Sequence, residues 1–156
     1  MTTRRTFMAR TGGFLLAALT GRWLSGQATA GPGTPITVFK DPSCGCCTKW
    51  VDHLQANGFK PTVRPETNMD AIKDRLAIPK SVRGCHTAQL DGYLIEGHVP
   101  AADIRRLLAD RPKVAGLAVP GMPVSSPGMA VPGGPVEPFD VVAFQSNGTT
   151  RRFARH

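Results

Sequence analysis

The sequence predicts one small α/β domain in which strands and helices alternate along the chain. Two observations indicate this class. Short apolar runs such as residues 36–39 alternate with segments whose apolar side chains recur at the spacing of a helix face. Gly and Pro separate these segments, and Asp91-Gly92 stands between two apolar runs as a hairpin turn would. A chain of 156 residues with a removable leader has room for one hydrophobic core.

The first half of the domain predicts two strand–helix pairs. The apolar run at 36–39 has the length of a buried strand, and a helix is predicted over about 48–56. A second short strand is predicted over 61–64. A second helix follows over about 69–78, and Pro79 stops it.

The second half predicts a hairpin and a third helix. Segments 82–90 and 93–96 flank the Asp91-Gly92 turn, and Pro100 stands near the start of a helix with inward apolar residues. The resulting order, β-α-β-α-β-β-α, is typical of a thioredoxin-like domain.

Residues 112–138 change composition sharply to Pro, Gly, Val and Met. Such a run contains too many breakers for a helix or a central strand, so a long loop is predicted. A long loop inside a compact domain is usually functional or disordered. Segments 139–144 and 149–153, separated by Asn147-Gly148, then predict a C-terminal β-hairpin.

Residues 1–30 predict a twin-arginine signal peptide. Arg4 and Arg5 precede the apolar run 14–19, and small residues at 28–30 form a cleavage pattern. The mature domain, residues 31–156, is then expected in the bacterial periplasm. The apolar run is too short to cross a bilayer, so no membrane span is expected after cleavage.

The net charge of +8 does not predict nucleic-acid binding. Four arginines of the leader supply half of this charge, and most of the remaining basic residues are scattered. A nucleic-acid interface would need a basic stripe with interleaved aromatic residues. We therefore exclude a nucleic-acid partner.

Three of the four cysteines lie at a predicted strand-to-helix junction: Cys44, Cys46 and Cys47. Unpaired N–H groups and the helix dipole at such a junction favour an anion, which lowers the pKa of a thiol. Thiolate is the nucleophile of redox chemistry and a soft metal ligand. The segment therefore predicts a redox site, a metal site, or both.

Two disulfides are the structural alternative for four cysteines in an oxidising compartment. Cys44 and Cys47 have the spacing of a C-x-x-C pair, and Cys46 would then pair with Cys85. Structural disulfides seldom crowd three cysteines onto one turn, because a bridge between adjacent residues is strained. The crowding therefore favours a functional site.

Other candidate ligands lie further along the chain. Cys85 and His86 stand in a turn that thioredoxin-like topology places beside the start of the first helix, and His98 precedes the third helix. Met122 and Met129 lie in the breaker-rich loop, where burial in a core is harder to arrange. Thioether and thiolate are soft ligands that suit Cu(I), so this combination favours copper over zinc. His53, within the first helix, is expected at the surface.

Several motifs together resemble the CopG-like family, a group of small exported proteins associated with bacterial copper resistance. These motifs are Cys44-Gly45-Cys46-Cys47, Gly84-Cys85-His86-Thr87-Ala88, Gly92-Tyr93, Glu96-Gly97-His98-Val99-Pro100, and the loop segments 116–123 and 126–129. The resemblance implies a thioredoxin-like fold with copper held by the cysteines. Carried over residue by residue, the implied ligands are Cys44, Cys46, Cys47 and Cys85, with His86, His98, Met122 and Met129 as further candidates.

The leading hypothesis is a periplasmic copper-resistance protein that holds Cu(I) in a cysteine-rich, multinuclear thiolate site. Its candidate partners are copper ions and other periplasmic copper-handling proteins. The alternative is an enzyme, a thiol–disulfide oxidoreductase that uses Cys44 and Cys47 and is linked to copper or independent of it. A disulfide-stapled adaptor without metal is the third hypothesis.

Overall fold

The computed structural model describes residues 33–156, so the predicted signal peptide lies outside the described residues. The described chain forms seven strands and three α-helices, with a short 3₁₀ helix at Lys80–Val82. The elements are β1 (Thr34–Lys40), α1 (Gly45–Ala56), β2 (Phe59–Pro65), α2 (Met69–Arg75), β3 (His86–Leu90), β4 (Tyr93–Glu96), α3 (Ala101–Asp110), β5 (Gly116–Ala118), β6 (Asp140–Phe144) and β7 (Thr150–Arg155). None of the helices described in this range has the length and apolar character needed to cross a bilayer.

All seven strands belong to one mixed sheet in the order β2-β1-β3-β4-β5-β6-β7. The pairs β1–β2 and β4–β5 are parallel, and the other neighbours are antiparallel. The predicted α/β class is confirmed, and the first seven elements follow the predicted order β-α-β-α-β-β-α. The predicted C-terminal hairpin is present as β6 and β7, which continue the sheet at one edge.

The prediction that residues 112–138 hold no central strand is wrong at β5. Only three residues pair there, and they lie in the proline-free stretch between Pro112 and Pro120. Gly116 makes the pairing possible, because a Cβ atom at this position would lie 1.8 Å from the carbonyl oxygen of Leu94 on β4. The lack of a side chain at Gly116 is therefore what allows β4 and β5 to approach this closely.

Both early helices have ends that differ from the predicted ones. Helix α1 starts at Gly45, about three residues early, because Cys44 is its N-cap and accepts the Cys47 N–H at 3.3 Å. Helix α2 is capped by Asn68, whose side chain accepts the Ala71 N–H at 3.0 Å, but it ends at Arg75 instead of residue 78. The positive φ of 52° at Ala77 ends the helical path before Ile78.

The start of α3 is fastened to α1 by two buried or half-buried contacts. The indole N–H of Trp50 donates to the carbonyl of Val99 at 2.9 Å, and Nε2 of His53 accepts the N–H of Ala101 at 3.1 Å. The expectation that His53 is a surface residue is therefore wrong, since it satisfies an unpaired N–H at the first turn of α3. These contacts fix the cysteine helix against the segment that carries His98.

Candidate metal centre

The first half of the candidate centre is the turn that begins α1. Asp41 shapes this turn, because its carbonyl accepts the Cys44 N–H at 3.1 Å and its Oδ1 accepts the Ser43 N–H at 2.7 Å. Cys44 and Cys47 are joined in a disulfide, while Cys46 is free and its Sγ lies 3.6 Å from Sγ of Cys44. Cys44 is partly exposed at the helix start, whereas Cys47 is buried.

The fourth sulphur comes from the turn before β3. Cys85 is free, and the four Sγ atoms of Cys44, Cys46, Cys47 and Cys85 all lie within 4.8 Å of one another. The structure thus brings together the four cysteines that the sequence singled out. It holds one bridge of the two-disulfide alternative, Cys44–Cys47, and leaves Cys46 and Cys85 as thiols.

Two glycines allow the turns that carry Cys85 and His98 to pack back to back. A Cβ atom on Gly84 would lie 2.9 Å from Cα of Gly97, closer than real side chains approach. Gly97 itself has a φ of +70°, and its N–H donates to the carbonyl of His86 at 3.0 Å. A side chain at either glycine would separate the turns or strain the backbone, so these glycines set the distance between the two candidate ligands.

His98 is held in one tautomer. A carbonyl oxygen only accepts hydrogen bonds, so Nδ1 of His98 donates to the carbonyl of Pro127 at 2.7 Å. Burial lowers the pKa of His98, which favours the neutral ring. The lone pair on Nε2 then faces Sγ of Cys85 at 3.2 Å, in the arrangement that a metal-binding histidine needs.

His86 lies deeper and packs between two rings. Its centroid is 4.3 Å from that of Trp50 and 4.9 Å from that of His98, and its Nδ1 is 3.3 Å from Sγ of Cys85. Burial, with the neighbouring His98 and then Lys73, lowers the pKa of His86 well below its usual value. Within residues 33–156, its buried Nε2 has no hydrogen-bond partner of normal geometry. Such an atom costs stability unless a further ligand or water satisfies it.

Cys85 is protonated at neutral pH in the metal-free protein. Burial raises the pKa of its thiol to about 12, and the neighbouring Cys46 adds to the rise. A soft metal ion would replace the thiol proton, so metal binding at this position releases a proton. The same burial makes Cys85 a poor nucleophile without a metal or a base.

The loop segment 126–129 covers this end of the molecule. The backbone carbonyl of Ser126 closes the turn of this segment, because it accepts the N–H groups of Met129 and Ala130 at 3.0 and 3.1 Å. At Gly128, with a φ of +85°, a Cβ atom would lie 2.8 Å from the carbonyl oxygen of Cys46. The backbone next to Met129 therefore lies directly against the first turn of α1.

The two candidate methionines occupy different settings. Met129 is half-buried and follows Gly128, which contacts α1, whereas Met122 is 43% exposed. Met122 also has a φ of +50°, which is uncommon for a residue with a side chain. That Met122 and Met129 bind a metal ion through their thioether sulphurs remains a prediction.

Several residues that shape the centre were not identified from the sequence. Trp50 and Pro127 act through contacts that only the topology reveals. Beneath the Cys85 turn, Lys73 and Glu96 form a buried ion pair, with side chains 4% and 0% exposed. One signal was available for Glu96, since it is a lone acid at the end of an apolar strand segment.

The arrangement supports two kinds of chemistry. Four sulphurs and two imidazole nitrogens converge from α1, the Cys85 turn and the Gly97 turn, which is a soft donor set for a metal. The Cys44–Cys47 disulfide also makes the site a two-electron couple, because its reduction takes up two electrons and two protons and gives two thiols.

Comparison with known proteins gives three findings. Residues 82–129 match the profile of a family described as "Protein of unknown function, DUF411". Two solved structures, "Copper resistance protein copG- Form 1" and "Form 2", match with TM-scores of 0.73 and 0.74, each at 46% sequence identity. Each match covers 80% of this chain and 98% of the solved chain. A search among curated proteins found no match.

This identity extends over nearly the whole length of the solved relatives, and the DUF411 match includes the segment with Cys85, His86, His98, Met122 and Met129. The resemblance inferred from the sequence motifs is thereby confirmed. The chain belongs to the CopG-like family.

Proposed function

We propose that this protein is a periplasmic copper-binding protein of copper resistance, and that it holds Cu(I) through Cys44, Cys46, Cys47 and Cys85. The observation that carries the proposal is the convergence of four sulphur atoms within 4.8 Å from two separate segments. The solved relatives are copper resistance proteins by name, which supports copper as the metal.

Sulphur atoms this close favour more than one Cu(I) ion in the reduced protein. Four thiolates around a single ion would repel one another, whereas ions that each bridge two thiolates compensate more of their charge. His98 and His86 are the nitrogen ligands best positioned to complete the set, since both face Sγ of Cys85. Met122 and Met129 are proposed as outer thioether ligands from the covering loop.

The disulfide would set the metal capacity. With Cys44 and Cys47 bridged, the free sulphurs are those of Cys46 and Cys85, beside His98. Reduction of the bridge frees two more sulphurs, and each thiol then loses a proton when it binds a metal ion. The oxidised protein is therefore expected to bind fewer Cu(I) ions than the reduced protein.

Anaerobic titration with Cu(I), against a chelator of known Cu(I) affinity, tests this proposal. We expect more than one Cu(I) per reduced protein, a lower ratio for the disulfide form, and no displacement by equimolar zinc. Equal copper loading of the two forms, or retention of zinc without copper uptake, would contradict the proposal.

A thiol–disulfide oxidoreductase is the second candidate, and the disulfide itself favours it. In the reduced protein, the thiolate of Cys44 would attack a substrate disulfide, and Cys47 would then attack Cys44 to release the reduced substrate. The partial exposure of Cys44 and the burial of Cys47 suit these roles. Reduction of a model disulfide by catalytic amounts of the protein, with a dithiol such as dithiothreitol as the electron donor and unaffected by Cys85→Ser, would favour this function.

We also propose export by the twin-arginine route, followed by cleavage after Ala30. The motivation is the pattern Arg4-Arg5, apolar run and small residues within 1–30. Replacing both arginines by lysine should leave the precursor in the cytoplasm. Unchanged periplasmic yield of that variant would contradict this route.

Other periplasmic copper-handling proteins are the proposed partners.

A further inference from the structure

We propose that Glu96 and Lys73 are positioning residues for the copper site, because they clamp the turn that presents Cys85 and His86. This inference rests on the proposed function and extends it to residues that bind no metal themselves. Both side chains are buried beneath the turn, and they come from different elements, β4 and α2.

Glu96 holds the chain on both sides of the two candidate ligands. Its Oε1 accepts the N–H of Gly84 at 2.7 Å, and its Oε2 accepts the hydroxyl of Thr87 at 2.7 Å. Gly84 precedes Cys85 and Thr87 follows His86, so one carboxylate fixes the residues that flank the ligand pair. A rigid carboxylate with two anchors leaves the turn little freedom to rotate.

Lys73 completes the clamp from α2. Its Nζ donates to Oε1 of Glu96 and to Oγ1 of Thr87, the latter at 2.9 Å. The Thr87 hydroxyl therefore accepts from Lys73 and donates to Glu96, and its single proton is committed to Glu96. The three side chains form a closed buried network that links α2, β3 and β4 directly beneath the turn.

The network does more than pair two charges, because Glu96 also accepts hydrogen bonds from Gly84 and Thr87, the residues that flank the ligand pair. A buried ion pair is on average weak evidence for stability, since desolvation offsets the attraction. Here the carboxylate also accepts a backbone N–H one residue before Cys85. Removal of the carboxylate would leave that N–H and the Thr87 hydroxyl without their acceptor, and the turn would loosen at the position of the ligands.

Two double variants separate positioning from charge. Lys73→Met with Glu96→Gln removes both charges but keeps a carbonyl oxygen for one of the two anchors. Lys73→Met with Glu96→Met removes both charges and both acceptors, at similar side-chain volume. Neither variant leaves an unpaired buried charge, and near-ultraviolet circular dichroism checks that each one folds. Asp91→Asn, which breaks an exposed ion pair with Arg111 away from the site, is the control.

The first readout is competition for Cu(I) by the reduced proteins. Loss of an outer contact that orients a metal ligand typically weakens metal affinity by about 10–100-fold. We expect a loss of that size for Lys73→Met/Glu96→Met (the Met/Met variant). We expect a markedly smaller loss for Lys73→Met/Glu96→Gln and none for Asp91→Asn. Equal Cu(I) affinity of the Met/Met variant and the wild type would overturn the inference.

The second readout needs no copper and is specific to the turn. In the disulfide form, Cys46 and Cys85 are the free thiols, so their alkylation by iodoacetamide at one pH reports on each segment separately. Compared with Lys73→Met/Glu96→Gln, which has lost the same charges, Lys73→Met/Glu96→Met should raise the ratio of Cys85 to Cys46 modification by about tenfold, since it alone leaves both anchors of the Cys85 turn without an acceptor. Parallel acceleration at both cysteines would indicate general destabilisation and overturn positioning.

The outcomes also distinguish the two proposals. If the wild type takes up no Cu(I) while the alkylation ratio responds as expected, the proposed function fails and the clamp remains. If the wild type binds Cu(I) through Cys85 while neither variant changes affinity or ratio, the clamp fails and the proposed function remains.

Discussion

The two segments that meet at the candidate centre are held in different ways. The turn at the start of α1 contains the Cys44–Cys47 disulfide, so its covalent state changes when that bridge is reduced. The Cys85 turn is fixed from below by Glu96 and from the side by Gly97. A site built this way can confine redox change to one segment, while the other keeps its ligands in place.

The largest expected effect comes from removing the sulphurs themselves. Single Cys→Ser variants at positions 44, 46, 47 and 85 should each lose most of their bound Cu(I), because serine replaces a soft ligand with a hydroxyl that ionises poorly. Metal analysis of anaerobically purified protein measures the loss, with Thr48→Ser on α1 as control. Full copper loading of Cys85→Ser would remove the second segment from the site.

Gly128→Ala should give the next largest effect, on stability. The new methyl group would lie 2.8 Å from the carbonyl oxygen of Cys46 and from the amide nitrogen of Trp50, at a φ of +85°. Left-handed strain and overpacking together predict a loss of about 2–4 kcal/mol in the free energy of unfolding. Gly133→Ala is the matched control, because its φ is +71° but its Cβ would meet open space. Equal losses of unfolding free energy in both variants would mean that the loop is not closely packed against α1 at Gly128.

Gly84→Ala tests the fixed segment by itself. Its methyl group would lie 2.9 Å from Cα of Gly97, so the turns of Cys85 and His98 must separate. Overpacking of this kind costs about 1–3 kcal/mol, which urea unfolding of the apo protein measures. Gly45→Ala in the first turn of α1, where a Cβ meets nothing within 4 Å, is the control and should not destabilise. A neutral Gly84→Ala variant would contradict close packing of the two turns.

The smallest expected effect concerns the joint between α1 and α3. Burial, with Arg105 nearby, lowers the pKa of His53, whose Nε2 accepts the Ala101 N–H. The unfolded chain therefore takes up a proton at His53 at higher pH than the folded protein, so the contribution of His53 to stability is full above about pH 6.5 and is lost as the pH drops below it. His53→Gln should reduce this fall between pH 7.5 and 5.5. An unchanged pH dependence would show that His53 does not contribute.

The segment that sequence reasoning described best is the one whose chemistry is local. Cys44, Cys46 and Cys47 stand within four residues, and the apolar pattern around them places a strand before and a helix after. Proximity of Cys85 could be inferred only through the family of folds, because sequence distance alone says nothing about it. The structure then confirmed the proximity through the order β1–β3 in the sheet.

Other features depended on contacts that leave no periodic signal. Lys73 follows the buried Ile72 in a helix of seven residues, too short for a clear face, and its partner is 23 residues away. Strand β5 has only three residues, and its position in the sheet depends on its pairing with β4 on one side and β6 on the other. His53 faces the first turn of α3, and its role follows from an unpaired N–H that appears only after folding.

The covering loop leaves the sheet at β5 and returns at the neighbouring strand β6, where Ala118 pairs with Val142. Its two ends are therefore held together by the sheet whatever lies between them, and the entropy of closing it changes slowly with its length. Insertions or deletions in its exposed stretch, residues 130–138, can thus alter the cover of the site while the fold stays intact. This exposed stretch can therefore change the access of a metal ion to the site without altering Met122, Pro127 or Met129, which contact or are proposed to bind the ligand set.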